Sequence, residues 1–470
     1  GGPGNGSGGP LPPTSSTGLS GCTDLISHPA DRTVDAGGLC SLIIEGDAPG
    51  SHFGYSIAGE TDFDGDGIAD LVIGAPAFHY QSDYDPAIES APSAAEQLDI
   101  AWPHPDNAAG SVYVVFGAFL QQHLHPVGGA SVPRILKISD LVSDPTKAIR
   151  IQASASQSRD RFGFSVDGFG NQDSDTSWSG DEIVVGAPQF LSDWQVNDSD
   201  VPGSKTSNFE DDADEGPGFL ETWSWDSSSG LASHRFTIVG PNDASGGLTP
   251  AQARFGWSVS RIATRTQSPV GFIAGAPGFD TSDPTGSSPD KVDAGAVFAW
   301  ELSSPLAPGP APVPNLAWRL TGGDEGIQFG WAVASKGDLN GDGVPDVAIG
   351  ARLADRRGAF DNPCTCAAGR FFDAGQIFVA SSGSNCTNAH ERLIATISGE
   401  RARDRLGFGL AFGGNLVGGV GDELVGGALA WPDIASAALP FLSNCCTDTQ
   451  TSGQSELGRA YRLDFDLLNN

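Results

Sequence analysis

The sequence predicts an all-β fold, a β-propeller of four-stranded antiparallel blades. Three observations carry that reading. One phrase of about two dozen residues recurs five times along the 470-residue chain. Between its copies lie short stretches that alternate apolar and polar residues, the period of a half-buried strand. Glycine (64) and proline (32) punctuate these stretches at a density suited to many tight turns.

The recurrent phrase opens on Phe-Gly and closes on Gly-Ala-Pro. It reads FGYSIAGETDFDGDGIADLVIGAP from Phe53, FGFSVDGFGNQDSDTSWSGDEIVVGAP from Phe162 and FGWSVSRIATRTQSPVGFIAGAP from Phe255. It continues as FGWAVASKGDLNGDGVPDVAIGAR from Phe329, and weakens to LGFGLAFGGNLVGGVGDELVGGAL from Leu406. Each copy supplies two strands. A third follows as GSVYVV (Gly110), GFLETW (Gly218), GAVFAW (Gly295), GQIFVA (Gly375) and GRAYRL (Gly458). A fourth precedes the next copy: IRIQAS (Ile149), RFTIVG (Arg235), AWRLTG (Ala317) and IATISG (Ile394). Four antiparallel strands per repeat make a propeller blade.

The fifth unit runs out after its third strand, whereas SLIIEG from Ser41 precedes the first unit without a blade of its own. The economical expectation is that SLIIEG completes the last blade and closes the ring, which removes open sheet edges. Seven blades are the alternative, with two more in the Pro-, Ser- and Asp-rich segments 79–108 and 189–217. The domain division is then a Gly/Pro-rich arm over 1–40 and a propeller over 41–470. The arm cannot build a core of its own. It is a candidate for contacts with other copies of the chain.

Two copies contain the run D-x-[DN]-G-D-G-x-x-D. The first places Asp62, Asp64, Asp66 and Asp70 around Gly67, and the second places Asp338, Asn340, Asp342 and Asp346 around Gly343. Side-chain oxygens at positions 1, 3, 5 and 9, with the carbonyls of Ile68 and Val344 at position 7, suit a hard cation with six to eight oxygen ligands. Calcium fits this set better than magnesium, which keeps more of its water. An EF-hand would need a bidentate Glu at position 12 and flanking helices. Ile73 and Ile349 stand there instead, inside apolar strand-like runs. A third, interrupted copy offers Asn171, Asp173, Asp175 and Glu182. The third and fifth repeats lack the carboxylates and are not expected to bind.

These residues bear a resemblance to a known family. The phrase FG…D-x-D-G-D-G-x-x-D-L-V-I-G-A-P resembles the FG-GAP repeat of integrin α-subunit propellers and their bacterial relatives, over roughly residues 41–466. The resemblance implies calcium in hairpin loops at Asp62/Asp64/Asp66/Asp70 and Asp338/Asn340/Asp342/Asp346, and partner binding on the opposite face. GAP becomes GAR at Arg352 and GAL at Leu429, and heterodimer pairing of the integrin kind is not carried over.

The charge balance narrows the partners. Net charge is −33, so neither nucleic acid nor an anionic membrane surface is an expected partner. The chain has no apolar run of about 18 residues that would insert in a membrane. It contains no methionine and begins GGPGNGSGGPLPP, as expected for a processed secreted product or an excised fragment. Seven cysteines (Cys22, Cys40, Cys364, Cys366, Cys386, Cys445 and Cys446) form no C-x-x-C pair. They point to disulfides in an oxidising, extracellular setting, with Cys22 and Cys40 able to close a loop in the arm.

No nucleophile–base motif, H-E-x-x-H or phosphate loop occurs, so catalysis is not expected. His123 and His125 are spaced as metal ligands but lack an apparent third partner. Trp257 and Trp331, and Trp223, Trp225, Trp300 and Trp318, fall in strand phrases and read as packing. Trp102, Trp178, Trp194 and Trp431 fall in loops, where they could stack on sugars. The expected function is a secreted calcium-binding propeller, an adhesion or structural-assembly subunit of a fibre, surface layer or matrix. A lectin-like carbohydrate-binding module and a polysaccharide- or lipid-degrading enzyme are the rival readings.

Overall fold

The structure is a computed structural model. It describes residues 42–46, 51–77, 109–124, 135–155, 160–170, 180–189, 216–240, 253–262, 271–281, 291–301, 315–357, 370–371, 373–382, 392–400, 404–415, 421–429 and 459–463. All seven cysteines, the arm and the segments 79–108 and 190–215 lie outside these, as do Trp102, Trp178, Trp194 and Trp431.

Five antiparallel sheets follow one another in chain order. A short strand, β1 (Ile43–Glu45), comes first. Blade 1 begins with β2 (Ser56–Thr61), β3 (Asp70–Ala75) and β4 (Ser111–Val115). An insertion follows, made of α1 (Gly117–Leu124), β5 (Ile135–Lys137) and α2 (Ile138–Val142), before β6 (Ala148–Ile151) completes the sheet. Blade 2 is β7 (Ser165–Gly170), β8 (Glu182–Ala187), β9 (Phe219–Asp226) and β10 (Leu231–Val239). Blade 3 is β11 (Ser258–Ile262), β12 (Gly271–Ala276), β13 (Ala296–Glu301) and β14 (Asn315–Thr321). Blade 4 holds β15 (Phe329–Gly337), β16 (Asp346–Ala351), β19 (Gln376–Ser381) and β20 (Leu393–Ser398). A small hairpin, β17 (Arg356–Arg357) and β18 (Arg370–Phe371), interrupts it. Blade 5 shows three strands among the described residues: β21 (Leu406–Gly414), β22 (Glu423–Ala428) and β23 (Arg459–Leu463).

Within each blade the strands meander in sequence order, and the first strand of one blade packs beside the first strand of the next. The second strands (VIG, VVG, IAG, AIG) are buried on both faces, hence their continuous apolar runs. One apolar core fills each gap between consecutive blades. Val72, Val112 and Val114 meet Val185 between blades 1 and 2. Leu220 meets Phe272 and Phe298 between blades 2 and 3. Ile273 and Val297 meet Val347 and Ile349 between blades 3 and 4. Ile377 and Val379 meet Leu406 and Leu424 between blades 4 and 5.

The Phe-Gly and Gly-Ala ends of the repeated phrase form the joints. Gly256 has φ +88°, a left-handed conformation that excludes most side chains. Its N–H donates to the Gly275 carbonyl of its own blade at 3.1 Å. Its carbonyl faces blade 2, where it accepts from Ser165 Oγ at 2.8 Å. A Cβ on Gly186, in blade 2, would lie 2.1 Å from that same oxygen. The close glycine approach repeats at Gly74/Gly163, Gly275/Gly330 and Gly350/Gly407, and the serine bond at the first two, from Ser56 and Ser258. The residue after each Phe-Gly lines the inner edge. Tyr55, Phe164, Trp257, Trp331 and Phe408 stack in that order, with ring centroids 4.6, 4.5, 4.6 and 5.7 Å apart.

The N-terminal strand departs from expectation. SLIIEG does not complete the last blade: β1 pairs in parallel with β5, Ile43 opposite Ile135 and Glu45 opposite Lys137. The cause is the insertion in blade 1. It carries its own strand and helices onto the face of that blade turned away from blade 2, where Ile44, Leu136, Leu141 and Phe119 cover Ile73, Tyr113 and Val115. A short connection tethers β1 to the same blade, so the apolar seat beside it is the nearest one.

Candidate metal centre

The two acidic loops join the first and second strands of blades 1 and 4. Each is aimed by the strand before it. A β-bulge at the end of the first strand, between Ala58 and Thr61 in blade 1 and between Ala334 and Gly337 in blade 4, breaks the register. Glu60 (φ +65°) and Lys336 (φ +85°) sit in these bulges in the left-handed region. Bulges bend a strand and turn its continuation aside. Blades 2 and 5 have the bulge too, whereas blade 3, whose loop has no carboxylates, keeps regular pairing.

Inside the loops the carboxylates hold the backbone in a spiral. Asp70 begins β3 and is buried. Its Oδ2 accepts the N–H groups of Phe63 (2.8 Å) and Asp64 (3.3 Å), and its Oδ1 accepts Gly117 N–H at the start of α1 (2.7 Å). Asp62 Oδ2 accepts Gly67 N–H at 2.8 Å, Asp64 Oδ1 accepts Asp66 N–H at 3.2 Å, and Asp66 Oδ1 accepts Ile68 N–H at 2.8 Å. Blade 4 repeats the scheme. Asp346 Oδ2 accepts Leu339 N–H (2.8 Å), Asp338 Oδ2 accepts Gly343 N–H (2.7 Å) and Asp342 Oδ1 accepts Val344 N–H (2.7 Å). Asn340 Oδ1 accepts Asp342 N–H at 3.0 Å. Gly67 and Gly343 both have φ +86°, which permits the turn at position 6.

The donor set fits a calcium ion. Asp62, Asp64 and Asp70 each bring one oxygen within 4.8 Å of the others. That span is about twice a calcium–oxygen distance of roughly 2.4 Å. Asp62 Oδ1 and Asp346 Oδ1 are buried and accept no hydrogen bond from the described residues. Such acceptors are costly unless a donor or cation meets them. Burial pushes the carboxyls of Asp70 and Asp346 up to about 7, against the hydrogen bonds from Gly117 and Leu339 that act the other way. Burial, and then neighbouring Asp66, raises Asp64 as well. A divalent cation would reverse this penalty. Asp62, Asp64, Asp66 and Asp70, and Asp338, Asn340, Asp342 and Asp346, are the side chains that would hold it.

Of the third candidate set, Asn171, Asp173 and Asp175 lie outside the described residues. Glu182 is buried at the first position of β8, the place of Asp70 in β3 and Asp346 in β16. His123 lies on α1 beside the Phe119 ring, and His125 is outside the described residues. Trp257, Trp300 and Trp331 are buried, while Trp223, Trp225 and Trp318 pack at the margins of the inter-blade cores. Two acidic residues that the metal-loop pattern does not include bind the first position of each loop: Asp181 Oδ2 accepts Asp62 N–H at 3.0 Å, and Asp422 Oδ2 accepts Asp338 N–H at 2.9 Å. Their signal in the sequence is Gly-Asp-Glu directly before the apolar second-strand run, at 180–182 and again at 421–423; the triad at 323–325 lacks that run.

A bladed all-β ring segment with acidic hairpins between its first and second strands defines a repeat propeller. Two of the repeats match a known family: the one described as "FG-GAP repeat" matches residues 53–85 and 329–379. Among curated proteins, "Integrin alpha ina-1" of Caenorhabditis elegans is 35% identical over 147 residues, 31% of this chain. The match spans 10% of that relative's length. Among solved structures, Saccharomyces cerevisiae Sqt1 aligns at a TM-score of 0.27 and 7% identity, over 83% of this chain and 84% of that one.

Proposed function

We propose that the protein is an extracellular, calcium-stabilised propeller that works as an adhesion or structural-assembly subunit, with a protein as its partner. The observation that carries the calcium half is the pair of equivalent loops, each holding a buried carboxylate oxygen that accepts no hydrogen bond from the described residues. The similarity to an integrin α chain over 147 residues supports a surface location and a protein partner. Among the described residues no helix is long and apolar enough to cross a membrane.

Calcium does no chemistry in this reading. It neutralises the loop carboxylates and fixes the hairpins, while the blades present loops and strand edges for binding. Titration of the calcium-stripped protein with calcium chloride tests the first half, and two equivalents should bind. Binding of the loaded protein to an array of extracellular-matrix proteins, beside a glycan array, tests the second. Protein-selective, chelator-sensitive binding is expected. Binding to glycans alone, or turnover of a polysaccharide, would replace this reading.

A further inference from the structure

Each acidic loop is fastened to the blade that follows it by the same reciprocal pair of hydrogen bonds. Asp62 N–H donates to Asp181 Oδ2 at 3.0 Å, and Asp181 N–H donates back to the Asp62 carbonyl at 2.6 Å. In blades 4 and 5, Asp338 N–H donates to Asp422 Oδ2 at 2.9 Å, and Asp422 N–H donates back to the Asp338 carbonyl at 2.8 Å. The preceding glycine makes the approach possible. A Cβ on Gly180 would stand 1.9 Å from the Phe63 carbonyl, and one on Gly421 would stand 2.1 Å from that of Leu339.

The clasped residue is also the first side chain of the loop. Asp62 has its backbone held by blade 2, while its carboxylate faces the loop, with Oδ2 on Gly67 N–H and Oδ1 buried without a donor among the described residues. Asp338 is held in the same way by blade 5, with its carboxylate on Gly343 and Asp342. The Gly-Asp-Glu triads whose glutamate begins a second strand stand in repeats two and five, one after each repeat with a full acidic loop; the triad at 323–325 precedes repeat four and begins no strand.

We propose that Asp181 and Asp422 are positioning residues for the cation loop of the preceding blade. Cation binding and the docking of blade 2 on blade 1, and of blade 5 on blade 4, are then a single coupled event. The proposal rests on the calcium reading above. It adds that each site is completed across a blade boundary. Outer hydrogen-bond partners of a metal site typically change affinity by about 10–100-fold.

The test is calorimetric titration of the full, calcium-stripped chain with calcium chloride, in wild type and in Asp181→Ala, Asp422→Ala and Asp181→Asn. Asp181→Ala should weaken one of two sites about tenfold or more and leave the other within about twofold. Asp422→Ala should do the same to the other site. Asp181→Asn, whose amide oxygen still accepts the Asp62 N–H, should bind as wild type does. Two alanine variants that bind as wild type, or that each weaken both sites equally, overturn the coupling. A wild type that binds no calcium overturns the calcium reading itself.

Should the alanine variants not fold, hydrogen exchange on wild type decides. Calcium should slow exchange at the Asp181 and Asp422 amides as well as at Asp62 and Asp338. Slowing confined to Asp62 and Asp338 leaves the calcium reading intact and removes the coupling.

Discussion

At the scale of single residues, Asp70 and Asp346 carry the most weight. Asp70 alone accepts three backbone N–H groups, from Phe63, Asp64 and Gly117. Replacing it with alanine strands these donors in a buried setting. Asp70→Ala should lower stability by about 2–3 kcal/mol, measured by urea unfolding in the absence of calcium. Both carboxyls are pushed from 3.8 to about 7 in the folded state. A folded-state pKa above the unfolded one means that the native protein binds the proton more tightly. Their contribution is therefore full below about pH 4, declines as pH rises toward 7, and is flat beyond. In chelator, stability should fall across that interval, and an Asp70→Asn/Asp346→Asn pair should flatten the slope. With calcium present the sign reverses, because protons compete with the cation below about pH 7. The acidic residues of the two loops and their spacing were legible in the sequence. The partners of Asp62 and Asp338 were not, since Asp181 and Asp422 lie more than eighty residues downstream.

At the scale of elements, the repeated phrase is a joint as much as a pair of strands. Its two glycines meet across blade boundaries with no room for a methyl group. Gly186→Ala should push the Gly256 carbonyl away and cost about 3 kcal/mol or more, read as a drop in the urea midpoint. Trp257, stacked between Phe164 and Trp331, should cost about 3–5 kcal/mol when cut to alanine. The strands were readable because period-two alternation and buried apolar runs are local signals. Three features were not. α1 (GAFLQQHL) forms from good helix formers in a stretch that otherwise reads as loop. The bulges depend on Glu60 and Lys336 adopting positive φ, which no residue preference announces. The destination of β1 turned on which of two apolar seats lay nearer, and that is a tertiary fact.

At the scale of the molecule, the blades are a series of cores joined in a row, each gap filled by side chains from both neighbours. A ligand that binds only the folded row stabilises it by mass action. At a calcium concentration about 100 times its dissociation constant, each site should add about 2.7 kcal/mol. Chelation should therefore lower the melting temperature measured by differential scanning calorimetry. An unchanged melting temperature would remove calcium from the account. The five-unit architecture was legible because repetition survives local noise. The capping of blade 1 by its own insertion was not, since that segment has no counterpart among the described residues of the other units.

The inner aromatic stack carries one more consequence. Trp257 and Trp331 belong to different blades, yet their indoles lie 4.6 Å apart at 50°. Chromophores that close and that inclined share their excited states and split their circular dichroism into a paired band. The seam between blades 3 and 4 thus contains its own optical gauge, one that vanishes when the two blades part even if every strand within them survives.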